Sequence, residues 1–318
     1  MGDRANGFGT GVGAGQAVIQ SLLGDTDTES FLADFWERKH LFVGAKAKSK
    51  LDSLLPESTV NALLSRNDVR YPSVSMVQDG RSRPLSGYSW PIRIGSYSAE
   101  GLIDPDRVCR GYDDGQTIIL QLLQNSSEAL AEFTITLSAF FRCRVDVHAF
   151  LTPPHARGLT AHYDTASAFL IQVRGSKRWR LYAMHTEAPL PDQRPANEKP
   201  VEGEPIDDLV LKTGDVLYLP RGLPHEGIAL EEESWHLTVV LFPNTWIDLL
   251  RSSLRRCQVE QEDFRRAPSE FVLEGADLSN CLETLSKLGS GIEFANPDTH
   301  PSSETPPVSP GRRRGRWL

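Results

Sequence analysis

The stretch Thr160–Tyr182, TAHYDTASAFLIQVRGSKRWRLY, decides how the rest of the chain is interpreted. It begins with a histidine and an aspartate two positions apart, His162 and Asp164. An apolar run follows, Gly175 interrupts it, and an alternating segment then carries Lys177. On an extended strand, side chains two positions apart lie on the same face. The pattern therefore predicts a β-hairpin that turns at Gly175, with two potential metal ligands at its start.

The composition is typical of a soluble globular protein. The 318 residues are 39% hydrophobic and 24% charged, which is enough for one large domain or two ordinary ones. The net charge of -8 argues against direct nucleic-acid binding. We expect no membrane segment, because no apolar run approaches about 20 residues. The four scattered cysteines, Cys109, Cys143, Cys257 and Cys281, predict neither a zinc knuckle nor a disulfide scaffold, so a cytoplasmic location is expected.

The chain divides by composition into four parts. Residues 1–15 contain many glycines and are expected to be disordered. Residues 16–245 are predicted to form the main domain, with helices at its N-terminal end. Residues 246–289 show helical periodicity, and residues 290–318 are rich in proline and serine and end in an arginine cluster. We expect this last part to be a disordered basic tail.

Periodicity predicts helices first and strands later. Helices are expected at Thr28–Lys39, within Leu51–Leu64, and up to Phe141 from an N-cap at Asn125 or Ser126. From Arg144 the apolar residues alternate, and short strands with intervening turns continue for about 100 residues. This pattern favours an antiparallel sandwich or barrel of the jelly-roll type. The expected fold is therefore mainly β with flanking helices.

A His-x-Asp pair alone is weak evidence for a metal site. With 8 histidines and 42 acidic residues, about one such pair arises by chance, and a second one, His185 and Glu187, lies in a proline-rich loop. We take the second pair as the chance occurrence, because a flexible loop does not hold a metal rigidly. His225 is the candidate third ligand, since it follows a strand and a proline-rich turn.

Two histidines and one carboxylate form the facial triad of non-haem Fe(II) oxygenases. The triad leaves positions for a 2-oxo acid and dioxygen, and the distal carboxylate of the acid then needs a cation. Lys177 shares its predicted strand face with Trp179 and Leu181. A lysine on an apolar face requires a partner, and the carboxylate of a ligand would supply one.

Several segments together resemble the JmjC-type ribosomal oxygenases. They are Phe35–Leu41, Ala149–Pro154 with Gly158, His162–Asp164, Phe169–Gln172, Gly175–Arg180, and Gly214–Gly222 before His225. The resemblance implies a double-stranded β-helix of the cupin type that binds Fe(II), 2-oxoglutarate and O2. It implies that His162, Asp164 and His225 ligate the metal and that Lys177 binds the distal carboxylate. His236 and Thr238 match a strand that lines the cosubstrate pocket.

The chain departs from that family near the pocket. His148 replaces an asparagine that is expected to touch the cosubstrate, and His155 lies in a segment that is often Gly-Ser. The residues expected at the substrate entrance are His155, Tyr163 and Arg221. After residue 245 the predicted helices leave room for a homodimerisation element, but a full winged helix is not expected.

The expected activity is hydroxylation of a C–H bond in a protein or peptide side chain. A natural-product precursor peptide or small scaffold is an alternative substrate for the same chemistry. An N-methyl-lysine demethylase is a second alternative, which formaldehyde release would reveal. A non-catalytic cupin module that only binds partners is the third, and the complete triad with Lys177 argues against it.

Overall fold

The structure is a computed structural model that describes residues 12–45, 51, 53–66, 68–193, 201 and 203–260. It contains two compact units, Met1–Pro243 and Asn244–Leu318. In the first unit the helices are α1 (Val12–Leu23), α2 (Thr28–Ser30), α3 (Glu57–Leu64), α4 (Pro105–Asp113) and α5 (Glu128–Phe141). The prediction of disorder through residue 15 is wrong for residues 12–15, where α1 has already begun. Residues 1–11 and the expected tail at 290–318 lie outside the described residues.

Two other predicted helices are shorter than expected. In place of one helix over Thr28–Lys39, α2 is followed by a π-helical turn at Phe31–Phe35. That turn places Phe31 among aromatic rings of the core, with its centroid 5.0 Å from that of Tyr218. Helix α5 begins after Ser127, whose Oγ accepts from the amide of Leu130. The predicted caps were one or two residues early, because residues 123–125 form a separate 3₁₀ turn.

An eight-stranded antiparallel sheet forms the larger layer of the β domain. Its strands, in spatial order, are β1 (Leu41–Val43), β11 (Val216–Leu219), β8 (Ser167–Arg174), β13 (Ser234–Phe242), β7 (Arg144–Thr152), β6 (Thr117–Leu120), β2 (Val74–Gln78) and β3 (Arg81–Ser82). A smaller sheet contains β10 (Asp207–Lys212), β9 (Ser176–Leu181) and β12 (His225–Ala229), and β4 (Ser89–Ile94) pairs with β5 (Tyr97–Ile103). The prediction of a mainly β domain with flanking helices is confirmed.

Strand β8 is buried on both faces. Phe169, Ile171 and Val173 point into the large apolar cluster shared with the helices. Leu170 belongs instead to a second cluster, in which Trp179 and Leu211 of the smaller sheet participate. Because side chains alternate along a strand, one strand serves both clusters. The second cluster lies between the two sheets, and the open end of this space forms the candidate site.

The turn predicted at Gly175 connects β8 to β9. Gly175 has a φ of 64°, which lies in the left-handed region that favours glycine. A Cβ atom at this position would lie 1.9 Å from the carbonyl oxygen of Glu233. No other residue type fits here without a backbone shift. The turn directs β9 back along β8 and places Lys177 on the inner face of the smaller sheet.

Helix α6 (Trp246–Glu260) is the described part of the second unit. Thr245 caps it reciprocally, because the Asp248 amide donates to Thr245 Oγ1 and the Thr245 amide donates to Asp248. The helix predicted at 246–289 is thus present through residue 260, and the remainder lies outside the described residues. Among the described helices, none is both long enough and apolar enough to span a membrane.

Candidate metal and cosubstrate site

A cavity of about 430 Å³ opens between the two sheets. The larger sheet contributes inward-facing residues of β7, β8 and β13, and the smaller sheet contributes residues of β9 and β12. Five of the apolar residues in its walls are Phe150, Leu170, Trp179, Leu219 and Val240. The same cavity brings together the three predicted metal ligands. Five other predicted site residues also line it: His148, Tyr163, Lys177, His236 and Thr238.

The three predicted metal ligands converge in this cavity. One potential ligand atom from each of His162, Asp164 and His225 lies within 4.8 Å of the others. The arrangement is built by the backbone, since the His162 amide donates to the His225 carbonyl at 3.1 Å and the His225 amide donates back at 2.8 Å. Asp164 is held in turn by its carbonyl, which accepts from the Gly222 amide at 2.8 Å. The triad is therefore fixed by main-chain contacts.

The hydrogen bonds of the two histidines set their tautomers. Nδ1 of His162 lies 2.7 Å from the Thr160 carbonyl oxygen, and Nδ1 of His225 lies 3.0 Å from that of Leu223. A carbonyl oxygen only accepts, so Nδ1 carries the proton in both rings. The unprotonated Nε2 atoms are then available as ligands. A backbone partner that orients a metal-binding histidine in this way is a regular feature of protein metal sites.

Burial keeps His225 neutral. Loss of solvent contact, reinforced by the nearby His162, lowers the pKa of His225 to about 4. A neutral imidazole is the form that binds metal. Asp164 has a side chain that is 53% exposed, and its carboxylate lies 3.9 Å from Nε2 of His225. Two neutral nitrogens and one carboxylate oxygen at an open site fit a divalent iron and leave coordination positions free.

Lys177 lies at the inner end of the cavity and is only 3% exposed. Its Nζ donates to Oγ1 of Thr152 at 3.0 Å and lies 5.3 Å from the ring centroid of Trp179. Among the described residues, no carboxylate forms an ion pair with it. Burial lowers the pKa of Lys177 to about 7. A buried ammonium without a counter-ion is energetically costly, and a bound anion would relieve that cost.

His236 lies next to the lysine. Its ring stacks on Phe150 at 5.0 Å and meets Trp179 edge-on at 5.2 Å. Burial, together with the positive charge of Lys177, lowers the pKa of His236 well below its usual range. Nδ1 of this ring is buried and has no hydrogen-bond partner among the described residues. Thr238, two residues along β13, lines the same wall, so both residues lie where the sequence predicted.

His148 lies beside Thr238 on the same wall, because the two residues are cross-strand partners on β7 and β13. Nδ1 of His148 accepts from the backbone amide of Leu122 at 3.3 Å. Burial lowers the pKa of His148, although the carboxylates of Asp146 and Asp164 act in the opposite direction. The replacement of the expected asparagine therefore leaves a polar group in the cavity.

The three predicted entrance residues have different positions. Tyr163 lines the cavity, and its hydroxyl donates to the carbonyl of Gln193 at 2.7 Å. His155 does not line the cavity: it is exposed and lies 3.5 Å from Glu231. Arg221 does not line it either, because its guanidinium pairs with Glu37 beside the N-terminal segment. The sequence could not indicate these two partners, since both lie far away along the chain.

Sequence reasoning missed Thr152. This residue is fully buried and supplies the hydroxyl that Lys177 contacts. A signal was present, because His148, Phe150 and Thr152 alternate along β7 and share its inner face. The pairing with Lys177 depends on the smaller sheet lying over β7, which periodicity does not reveal. His185 and Glu187 are exposed and lie outside the cavity, as expected of a chance pair.

Comparison with known proteins identifies the domain. The JmjC domain matches residues 117–249, and the AraC-like ligand binding domain matches residues 207–292. The bifunctional lysine-specific demethylase and histidyl-hydroxylase NO66 of Aedes aegypti is 29% identical over 243 residues, 74% of this chain and 36% of that protein. The NO66 protein of Drosophila persimilis is 32% identical over 231 residues, 71% of this chain and 31% of that protein. The chain spans about a third of the length of these relatives.

Solved structures show the same fold. The Escherichia coli protein YcfD, described as a ribosomal oxygenase, has a TM-score of 0.55 with 20% identity, covering 85% of this chain and 69% of that chain. Its structure in complex with cobalt and 2-oxoglutarate has a TM-score of 0.54 with 18% identity, covering 85% and 68%. At these identities the likeness concerns the fold. Together with the JmjC match and the converging triad, it leads to one conclusion. The chain contains a JmjC domain at residues 117–249, and its β domain shares the double-stranded β-helix fold of YcfD.

Proposed function

We propose that this protein is an Fe(II)- and 2-oxoglutarate-dependent oxygenase that hydroxylates a C–H bond of a protein or peptide side chain. One observation carries the proposal. A single cavity contains three converging metal ligands, two of them with their tautomers set for binding, and a buried lysine without a carboxylate partner among the described residues. The triad and the lysine match the two needs of this chemistry, a metal and a dicarboxylic cosubstrate.

The residues divide the work between them. His162 and His225 would hold the metal through their unprotonated Nε2 atoms, and Asp164 would hold it through a carboxylate oxygen. Lys177, supported by Thr152, would bind the distal carboxylate of 2-oxoglutarate by a charge-assisted hydrogen bond. Bound iron and cosubstrate supply the oxidising chemistry, with succinate and carbon dioxide as products.

The apolar walls have a separate role. Trp179 and Leu170 contact the inner part of the cavity and exclude water from it. Exclusion of water strengthens the attraction between a buried ammonium and a carboxylate. It also prevents side reactions with solvent. The chain thus positions the proposed metal ligands, supplies the positive charge of Lys177 and keeps water out of the inner cavity.

Similar proteins support a protein substrate. NO66 has histidyl-hydroxylase in its name, and YcfD is described as a ribosomal oxygenase. The name of NO66 also includes lysine demethylation, so removal of an N-methyl group is the second candidate. The two reactions leave different products, because hydroxylation retains the new oxygen whereas demethylation releases formaldehyde. We place hydroxylation first, because the name of NO66 includes it and the description of YcfD as an oxygenase agrees with it.

The proposal is tested with purified full-length protein under anaerobic conditions. Fe(II) and 2-oxoglutarate together should give the weak visible charge-transfer band of a chelated ferrous site. Candidate peptides are then incubated in air and analysed by mass spectrometry for the gain of one oxygen atom, with formaldehyde measured in parallel. A wild-type protein that binds neither iron nor 2-oxoglutarate would show that the enzyme assignment is wrong.

A further inference from the structure

One carboxylate of the N-terminal segment contacts both segments that lead to Asp164 and His225. Oε1 of Glu37 accepts from Oγ of Ser167 at 2.6 Å, and Oε2 of Glu37 accepts from Nε of Arg221. Ser167 begins β8 three residues after Asp164. Arg221 follows β11 and lies four residues before His225. The two oxygens of a single side chain are therefore divided between the two segments.

The contacts of Glu37 are buried and closed among themselves. Ser167 is fully buried, and the side chains of Glu37 and Arg221 are 19% and 11% exposed. The amide of Arg221 donates to Oγ of Ser167 at 3.2 Å, so the two anchored residues are also joined directly. The amide of Glu37 donates to the hydroxyl of Tyr218 at 3.0 Å. Glu37 has a φ of 60°, a conformation that residues other than glycine adopt only where their surroundings fix it.

The loop that contains Arg221 positions two of the three proposed ligands. Gly222 donates its amide to the Asp164 carbonyl at 2.8 Å. In the described part of the chain, no hydrogen bond reaches the Asp164 carboxylate, so this residue depends on its backbone for its position. Leu223 supplies the carbonyl oxygen that orients the ring of His225. A shift of this loop would therefore displace both ligands.

The larger sheet holds the N-terminal segment beside this loop. Strand β1 pairs with β11, with Leu41 opposite Tyr218, and β11 ends two residues before Arg221. A buried ion pair contributes little net stability, because the loss of hydration offsets the attraction. A charge-assisted hydrogen bond from a guanidinium does restrict distance and direction. The pair of Glu37 and Arg221 is therefore better suited to defining geometry than to stabilising the fold.

From these contacts we infer that Glu37 is a positioning residue of the metal site. Its carboxylate holds the loop before His225 and the start of β8 after Asp164 at the separation that one shared ion requires. The inference rests on the proposed function, because it takes the triad as the metal site. Glu37 acts through the Gly222 amide and the Leu223 carbonyl and does not touch the metal. Loss of its carboxylate should therefore weaken metal binding more than it weakens the fold.

Glu37→Gln tests the inference with a small change. The amide keeps the size of the carboxylate and one acceptor oxygen, but its NH₂ group cannot accept from the second partner, and the charge opposite Arg221 is lost. His40→Ala is the matched control. His40 belongs to the same N-terminal segment and contacts Asp207 at 3.1 Å, on strand β10, which contains none of the three ligands. Both variants remove a contact of this segment with the β domain, and only the first affects the ligand segments.

Metal affinity is measured by titration of purified, metal-free, full-length protein with Co(II), whose visible absorption reports the coordination geometry. We expect Glu37→Gln to lose at least about tenfold in affinity and to change the spectrum, since removal of a group behind a metal ligand typically has an effect of this size. His40→Ala should remain within about twofold of wild type. A wild-type affinity and spectrum in Glu37→Gln, or an equal loss in both variants, would overturn the inference. A wild-type protein that binds no Co(II) would instead count against the proposed function.

Hydrogen exchange in the metal-free protein measures the loop directly. The Gly222 amide reports its own bond to Asp164, and we expect it to exchange at least about tenfold faster in Glu37→Gln than in wild type, while amides of β13 are unchanged. A purely structural role would accelerate all slowly exchanging amides by a similar factor, and that result would overturn the inference. No metal is needed, so this measurement is separate from the test of the proposed function.

Ser167→Ala provides a second variant if Glu37→Gln does not fold. It removes the hydroxyl that donates to Glu37 and accepts from the Arg221 amide, and it leaves the ion pair in place. We expect faster exchange of the Gly222 amide and weaker Co(II) binding, both smaller in size than in Glu37→Gln. Exchange and affinity equal to those of wild type would overturn the inference.

Discussion

The backbones of His162 and His225 exchange two hydrogen bonds, at 3.1 and 2.8 Å, in a bridge between a loop and the start of β12. Each ring is then oriented by the carbonyl oxygen of the residue two positions before it, Thr160 for His162 and Leu223 for His225. Two of the proposed metal ligands are therefore already positioned by the protein alone. Such preorganisation lowers the cost of binding, since little conformational freedom remains to be lost.

Removal of one ligand should abolish metal binding. We expect His162→Ala to lose the visible band of the Fe(II)–2-oxoglutarate complex, because one carboxylate and one imidazole do not hold iron against the solvent. The band is measured anaerobically during titration with Fe(II). His155→Ala is the matched control, since its side chain is exposed and lies outside the cavity. A band of wild-type intensity in His162→Ala would contradict the assignment of the triad.

Replacement of the buried lysine should affect the cosubstrate and spare the metal. Lys177→Met removes a charge-assisted hydrogen bond worth about 1.5 to 3 kcal/mol, which corresponds to a loss of roughly 10- to 150-fold in 2-oxoglutarate affinity. Calorimetry measures this loss, and metal titration should be unchanged. Arg178→Met is the control, because Arg178 faces the opposite side of β9 and pairs with Asp208. Equal losses in both variants would rule out a specific role for Lys177.

Cosubstrate affinity should depend on pH through Lys177. Burial lowers the pKa of its ammonium to about 7 in the free protein, and a bound carboxylate favours the charged form and raises this pKa again. Binding above pH 7 must therefore take up a proton, and the affinity should fall by up to about tenfold per pH unit above that point. Below pH 7 the lysine is already charged, and the slope should disappear.

Calorimetry in buffers of different ionisation enthalpy counts the proton directly. We expect an uptake that approaches one proton at pH 8 to 9 in wild type, and none from this residue in Lys177→Met. The same shift affects folding. The unfolded chain binds this proton up to about pH 10, so in the free protein the lysine opposes folding most below pH 7 and less as the pH rises. A constant affinity from pH 7 to 9 would argue against the assignment.

The glycine at the hairpin should be irreplaceable. Gly175→Ala forces a Cβ against the carbonyl of Glu233 and a positive φ onto a residue that avoids it. We expect a loss of at least about 2 kcal/mol in the free energy of unfolding, measured by chemical denaturation. Gly87→Ala is the control, because a Cβ there has no atom within 4 Å. A loss in Gly87→Ala as large as in Gly175→Ala would show that local strain is not the cause.

Short-range patterns predicted much of the candidate site. The period of two along β9 placed Lys177 with Trp179 on the buried face, and the structure confirms this face. The spacing of His162 and Asp164 and the turn before His225 identified three residues that the cavity does bring together. These features depend on a residue and its near neighbours, which is why the sequence reveals them.

Contacts between distant segments could not be predicted from the sequence. The pairing of Thr152 with Lys177 and that of Leu122 with His148 require the packing of separate strands. Arg221 was expected at the entrance, but its partner Glu37 lies in the N-terminal segment. The cap of α5 shifted to Ser127 because a 3₁₀ turn intervenes, and such boundaries are weakly encoded.

The burial of β8 on both faces has a further consequence: neither face can accommodate a larger side chain without a shift of its neighbours. Phe169 and Ile171 fill the large core, while Leu170, between them, forms a wall of the cavity. A ligand that fills the cavity therefore contacts the same strand whose other face packs in the core. Occupancy of the site and global unfolding should be thermodynamically linked, so that amides of β8 exchange with solvent more slowly once the cavity is filled. Substitutions in β8 that change cosubstrate binding must therefore also preserve the packing of the core.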